Sequence, residues 1–480
     1  MPGTRFQSLV MAAVLLGAAA CTPGGGGSDL EAVERLNADP GTLARFTFPY
    51  YTSILARPGG GAIAVWMRLE APFRPMVYRR ALDATSAFGE EQYLGTDTVR
   101  KTISVVPSVL PGPAEGRLYA TWQARVPTSG DKSVVFRRSD DNGETWSEQH
   151  TVNSEPTAFI PSMAADPDGA IYLAWTDERD HRRRIFFNRS LDGGETWLDH
   201  DVDLEKGDSE NGRAVGLDLA SDGKGRVVVV WERQRGGRRV QGIVSDDRGD
   251  TWGPIARVDD AVRGRYSPTA PKVEFAGERA VVVWTAAATN SMSRIWSDSL
   301  GDTDAGWGDD VLVSEVKKGV PANVDLTSRD DTAHLVFSAG PYGADWHVYH
   351  TRTDAEGQWA ATGAEARQVS QGTGHFTNPR LSVDANQHLA ITFVKDQKQI
   401  YLNDSTDGGE TWGEARLLDE VSMEEKGVTV RYPQVSMADG VAYVIWEKWG
   451  ARDEVFKTFA DMDSKVVPSD LFVRRAVLTR

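Results

Sequence analysis

Short apolar runs, each closing on an aromatic residue, recur along the chain as Ala62 to Trp66, Leu118 to Trp122, Ile171 to Trp175 and Val227 to Trp231, then Ala280 to Trp284, Ala333 to Phe337, Leu389 to Phe393 and Ala442 to Trp446. Successive closing aromatics are 53 or 56 residues apart. Ahead of each run lies a second strand-like segment and a turn, as in Pro161 to Gly169, Pro379 to Asn386 and Pro433 to Gly440. A third follows, such as Arg184 to Asn188 or Gln399 to Asn403. These segments are rich in Val, Ile, Tyr and Phe and bounded by Gly, Pro, Asp and Asn, which is the signature of strands joined by tight turns. The spacing suits a helix only over Asp29 to Asn37, where a short one is expected.

A fixed period of fifty-odd residues with three or four strands per unit describes a radial array, in which closure of the ring removes the exposed sheet edges. The chain is therefore expected to be all-β, an eight-bladed β-propeller of four-stranded antiparallel blades over residues 41–480. Seven blades is the alternative if a terminal unit is incomplete, the first unit being the candidate. The closing aromatics are expected to pack between neighbouring blades.

Four units carry one octapeptide, S-x-D-x-G-x-T-W, at Ser139–Trp146, Ser190–Trp197, Ser245–Trp252 and Ser405–Trp412. Ser297–Thr303 is a decayed fifth copy and Thr353–Trp359 a shortened sixth. The Asp can accept backbone N–H bonds within the turn, the Gly supplies a positive φ, and the Trp covers the sheet. The spacing lacks the alternating oxygens and distant Glu of a calcium loop, so no metal is assigned to it.

This octapeptide resembles the Asp box of sialidases and related propellers, known also as the BNR repeat. In that superfamily the boxes lie at the blade periphery and identify architecture, not chemistry. Resemblance to true sialidases implies three arginines gripping a carboxylate, a Tyr–Glu nucleophile pair and an Asp acid/base on the central face. Two departures count against sialic-acid hydrolysis. Phe46-Thr47-Phe48-Pro49 has threonine where the family's first arginine stands, and sialidases have six blades. Val430-Arg431-Tyr432-Pro433 fits the x-R-x-P pattern but opens the last unit, and Gly264 to Pro268 has related chemistry.

The loops entering each innermost strand converge on the channel mouth, so the repeat alignment itself nominates residues. Arg213, Arg265, Tyr266, His375 and Arg431 are candidates for ligand binding, beside Tyr50, Phe159 and Glu210. Tyr432 is a candidate catalytic residue, with Asp177, Glu232 and Glu447, which follow the closing aromatic by one or two positions. Guanidinium forks grip carboxylates, and a pair of carboxyl groups at the right separation cleaves glycosides. The bland alternative is that these groups pair with one another. The arginine-rich Arg179 to Arg184 segment reads first as a solvated hairpin tip.

At the N-terminus, Arg5 followed by the apolar stretch Leu9 to Ala20 reads as an export signal over residues 1–20. Small residues then precede Cys21, the only cysteine, in an arrangement that resembles the lipobox of bacterial lipoproteins. That resemblance implies lipidation at Cys21, with Thr22 favouring the outer membrane. Pro23 to Ser28 has tether composition, so residues 21–40 are expected to link the lipid to the propeller.

Net charge is −16, from 53 basic and 69 acidic residues. This disfavours nucleic acid and anionic lipid as partners, and argues against a strongly anionic polysaccharide unless a local basic pocket overrides it. Three functions stay open: a sialidase-like glycan-binding protein, with or without exo-glycosidase activity, a non-catalytic scaffold or receptor for envelope proteins, and a uronate lyase using His375 and Tyr432. None calls for a cofactor.

Overall fold

The computed structural model describes residues 30–37, 52–68, 76–81, 83, 87–95, 103–126, 128–207, 212–260, 266–288, 293–301, 306–316, 322–341, 343–354, 356–359, 366–422, 424–425, 427–449 and 469–478. Their strands form eight four-stranded antiparallel sheets, each of consecutive neighbours except the last. The eight inner strands, blade 1 to blade 8, are Thr52–Ala56, Ile103–Pro111, Ala158–Ala165, Arg213–Ser221, Tyr266–Ala276, Ala322–Arg329, Phe376–Val383 and Thr429–Ala438. The protein is thus an eight-bladed propeller, as the repeat period predicts.

The incomplete unit is the last one. Blade 8 takes its outermost strand, Glu34–Arg35, from the other end of the chain, where it pairs with Ser469–Val477. The helix expected over Asp29 to Asn37 is instead extended from Leu30 on, so the folded part begins ahead of residue 41. The reason is tertiary: a three-stranded blade 8 would leave an unpaired edge at the ring's seam, and pairing along that edge outweighs a weak helical preference. The seam is well tied. Leu36 N–H donates to Leu471 O at 2.7 Å, Leu471 N–H to Asn37 Oδ1 at 2.8 Å, and Asn37 Nδ2 to Asp470 Oδ1 at 2.8 Å.

No single core fills the ring. Eight apolar clusters alternate with the blades, one per interface. Trp66 of blade 1, for instance, packs with Tyr443 and Ile445 of blade 8, and Trp122 of blade 2 with Ile63 and Val65 of blade 1. All eight closing aromatics are essentially inaccessible to solvent, each supplying roughly 2–3 kcal/mol of apolar burial.

Each Asp box closes on itself. In Ser190–Trp197, Thr196 N–H donates to Asp192 Oδ1 at 2.8 Å, Thr196 Oγ1 to Asp192 Oδ2 at 2.6 Å, and Gly194 N–H to Ser190 Oγ at 2.8 Å. The same bonds recur in the other three boxes. The shortened copy in blade 6 keeps one of them, Gln358 N–H to Asp354 Oδ1 at 2.8 Å.

The boxes also join blades. Their Trp rings meet a ring on the third strand of the preceding blade: Tyr78 with Trp146, Phe136 with Trp197, Phe187 with Trp252, and His350 with Trp412, at centroid separations of 4.9 to 5.9 Å. The equivalent position holds Gly242, Ser297, Leu402 and Val473 in the four blades that precede no complete box. A ring stands there only where a box follows.

Candidate functional site

Seven of the eight inner strands break their pairing with the second strand by a bulge near mid-length. At the first bulge position Val106, Ile160, Gly216, Ala270, Asn323, Asn378 and Tyr432 all have positive φ, between 41° and 59°. Proline follows five of them, at 107, 161, 271, 379 and 433. A bulge adds a residue to one strand and re-aims its side chains. Here it marks one residue in each of blades 2 to 8. Because the conformation recurs around the ring, it belongs to the architecture and not to one active centre, although for a ring as large as Tyr432 it is costly.

Two positions further on, each inner strand contributes one residue to the channel wall: Ser108, Ser162, Asp218, Lys272, Asp325, Arg380 and Gln434 on blades 2 to 8. Blades 4 to 7 therefore alternate in charge. Asp218 also accepts Val273 N–H at 3.2 Å and lies 3.6 Å from Lys272 Nζ, and Asp325 accepts Leu381 N–H at 3.0 Å. These carboxylates stitch one inner strand to the next. One layer deeper, burial with Asp218 and Asp325 nearby raises the Glu274 carboxyl to about 8, against the opposing pull of Lys272.

The mouth opens into a cavity of about 400 Å³ on blades 6 to 8. Three successive bulge residues, Asn323, Asn378 and Tyr432, line it with Arg380, Arg431 and Gln397. Arg380 also lines a channel cavity of about 310 Å³ that holds Lys272, Asp325 and Gln434, so the two spaces adjoin. Asn is among the residues that tolerate left-handed backbone best. Gln397, in a tight hairpin of blade 7, accepts Val430 N–H on its carbonyl at 2.9 Å and Arg431 Nη2 on its side chain at 3.1 Å. The Arg431 guanidinium lies 4.4 Å from the centroid of Trp449, and the Tyr432 ring meets the same indole edge-on at 5.7 Å.

That indole is itself fixed. Trp449 is nearly inaccessible, and its Nε1–H donates to Glu447 Oε2 at 2.7 Å. Glu447 thus orients the platform on which Arg431 and Tyr432 rest, from a position opposite Arg431 in the strand register.

The other two carboxylates named from the sequence are on different blades and are occupied. Asp177 of blade 3 is fully buried, accepting Trp175 Nε1 at 3.2 Å, Arg179 N–H and Nη2 at 2.9 Å, and Thr157 Oγ1 at 2.5 Å. Burial by itself would raise its pKa, but the Arg179 and Thr157 bonds outweigh that and hold it below the ordinary value. Glu232 of blade 4 accepts Gln234 Nε2 at 2.6 Å and lies 3.3 Å from Arg238. Alternation along the second strand also separates the three. Glu232 and Glu447 follow their tryptophans by one residue and face away from them, whereas Asp177 follows by two and shares the Trp175 face.

The arginines do not gather either. Arg213, at the start of the blade 4 inner strand, lines a separate cavity with Glu178, His181, Arg182 and Arg183. Arg431 is four blades away in a ring of eight, across the channel. His375 sits just outside the blade 7 inner strand, its N–H donating to Asp396 Oδ1 at 2.9 Å. For Tyr266 only the backbone is described, opening the blade 5 inner strand, while Cys21, Tyr50, Glu210, Arg265 and the 46–49 segment lie outside the described residues. Asn323, Asn378, Arg380 and Gln397 were not nominated from the sequence. The proline recurring at the bulges was the available signal for Asn378.

Residues 79–270, blades 1 to 5 in part, match the BNR repeat-like domain. That stretch of the propeller thus carries a BNR repeat-like domain. No curated protein matches its sequence. Solved structures similar to this propeller are distant. They include the BP39L lectin from Burkholderia pseudomallei (10% identity, 77% of this chain and 99% of that one, TM-score 0.49). An ulvan lyase of polysaccharide lyase family 25 bound to a GlcA–Rha3S unit (12%, 73% and 93%, 0.44) and an α-L-arabinanase of Penicillium chrysogenum with arabinobiose (16%, 67% and 99%, 0.41) are others.

Proposed function

We propose that this propeller binds glycans at the channel mouth, without cleaving them, and is held at the cell envelope by a lipid on Cys21. The observation that carries the binding site is the cavity on blades 6 to 8. Two arginines, two asparagines, a glutamine and a tyrosine face one space of about 400 Å³. Planar amides offer donors and acceptors to sugar hydroxyls, guanidinium forks take carboxylate or sulfate, and the tyrosine adds an apolar face. Among the described residues lining that cavity there is no carboxylate. Two carboxyl groups are what glycoside hydrolysis ordinarily requires, and Asp177, Glu232 and Glu447 are committed to other partners on three blades.

Binding is tested on a glycan array with the chain starting at Asp29, which keeps every described strand. Retention of a defined set of glycans, weakened by Asn378→Ala and by Arg431→Lys, supports the site. Retention that neither substitution alters, or hydrolysis of an arrayed glycan, overturns it. The anchor rests on the lipobox-like Leu16 to Cys21 and the tether composition after it. Metabolic labelling with an alkynyl fatty acid is expected to mark the wild-type protein and not Cys21→Ala. An unlabelled wild type removes the anchor.

A further inference from the structure

Across the channel from Arg431, the second cavity on the mouth face has a volume of about 580 Å³ and is lined by Glu178, His181, Arg182, Arg183, Gly212 and Arg213. The arginine-rich hairpin of blade 3 divides to build it. Arg179 and Arg184 turn to Asp177, Asp201 and Asp203 and cover the Phe186 ring, so their charges are neutralised. Arg182 and Arg183 go to the cavity instead. There Arg183 donates Nε–H to Glu178 Oε1 at 2.9 Å, and Arg213 Nη2 stands 4.0 Å from the same carboxylate. Arg182 and His181 are exposed and have no ion pair among the described residues. Among the described residues that line it, one acid thus faces three arginines and a histidine, in a chain whose net charge is −16.

Arg183 also joins the cavity to a cationic stack beside it. Phe159, the residue before the blade 3 bulge, is sandwiched between Lys132 Nζ at 3.6 Å and Arg183 at 4.4 Å from the ring centroid. Phe159 occupies the register position that Arg431 holds in blade 8, each directly ahead of a left-handed bulge residue. The two basic cavities therefore both adjoin this repeat position and open on one face, one on blades 3 and 4 and the other on blades 6 to 8. A single sugar cannot touch both.

We infer that the mouth face binds a polyanionic glycan, a chain bearing uronate carboxylates or sulfates, at two points: the Arg380–Arg431 cavity on blades 6 to 8 and the Arg182–Arg213 cavity on blades 3 and 4. This rests on the glycan reading above and specifies its ligand class. Local basic cavities override the acidic net charge, as charge complementarity acts within a Debye length of about 10 Å at moderate salt. Two linked contacts convert the second into an intramolecular event, so affinity rises steeply once a chain is long enough to bridge.

The test uses the full chain and calorimetric titration with oligogalacturonates, from the dimer to lengths that exceed the channel mouth. The expected result is two bound dimers per protein but one bound long chain, with at least about a tenfold gain in affinity for the latter. The gain should shrink with added salt, and both Arg182→Ala/Arg213→Ala and Arg431→Lys should flatten the length dependence. Affinity that does not change with length, or a length dependence that survives Arg182→Ala/Arg213→Ala, overturns the two-point mode while leaving a single glycan site intact. Binding of neutral glycans with no oligogalacturonate or sulfated-dextran binding overturns the polyanion assignment alone. Failure of every glycan, charged or neutral, removes the glycan reading together with it.

Discussion

The imidazole of His350 meets the indole of Trp412 at 5.1 Å and an interplanar angle of 63°, in the place that Phe136 and Phe187 fill against the boxes of blades 3 and 4. The histidine is fully enclosed, with Nε2 only 3.2 Å from Nδ1 of the equally buried His334. Burial, with Arg352 close by, depresses both, and His334 adds to the effect on His350, which falls well below its ordinary value while His334 falls to about 4. In the unfolded chain these imidazoles take up protons near pH 6.5, but in the folded protein they do not. The unfolded state therefore binds more protons, and stability falls as pH drops from about 6.5 toward 4. His350→Phe is expected to flatten that stretch of the urea-midpoint profile. An unchanged slope in the variant would show that the pair does not govern acid sensitivity.

Glu274 acts in the opposite sense. With its folded carboxyl raised to about 8, the folded state holds a proton that the unfolded chain has released, so stability falls as pH rises from about 4.5 to 8. Glu274→Gln keeps the shape and removes the titration. The variant should gain stability relative to wild type above neutrality and match it at pH 4, as read from thermal midpoints. A constant difference across the range would refute the assignment.

Arg79 of blade 1 holds the seam from the neighbouring blade. Its Nη1 donates to the carbonyls of Leu36 and Arg35 at 2.8 and 3.1 Å, and its Nη2 to Phe88 O at 2.7 Å. Arg137 of blade 2 and Arg474 of blade 8 reach the same way to Leu94 O and to Leu418 O. Arg79→Ala should cost about 1.5–3 kcal/mol, the range for hydrogen bonds to a charged donor. Removal of residues 30–37 should be far more damaging, leaving an open blade 8 edge and association between chains. Chemical denaturation and size-exclusion chromatography distinguish the two effects.

Trp449 links a buried carboxylate to the binding cavity. Trp449→Phe keeps most of the ring but lacks the N–H that Glu447 accepts, so Arg431 and Tyr432 lose a fixed platform. Cation–π support of this kind is worth about 0.5–2 kcal/mol. Glycan affinity should weaken by roughly 2-fold to 30-fold on that basis, with kinetics showing faster dissociation. Equal affinity in calorimetry would mean that Arg431 needs no such support.

The architecture was legible because its causes are local. A strand that closes on an inward aromatic and a turn that needs Asp, Gly and Trp write their period directly into the sequence, and eight periods give eight blades. The closing aromatics were placed correctly between blades for the same reason. The outer strand of blade 8 was not legible, since Glu34 and Arg35 pair with Val473 and Phe472, more than four hundred residues away. Nor could spacing reveal the cavities. Asn323, Asn378 and Tyr432, at bulges, and Gln397, in a hairpin turn, become neighbours only when three blades pack. Arg213 and Arg431, both at the start of an inner strand, are set on opposite sides of the channel by blade number. The repeat determined which residues reach the central face, through backbone alternation and turn chemistry. Ring closure decided which of them meet, because contact across blades depends on long-range packing that no local pattern encodes.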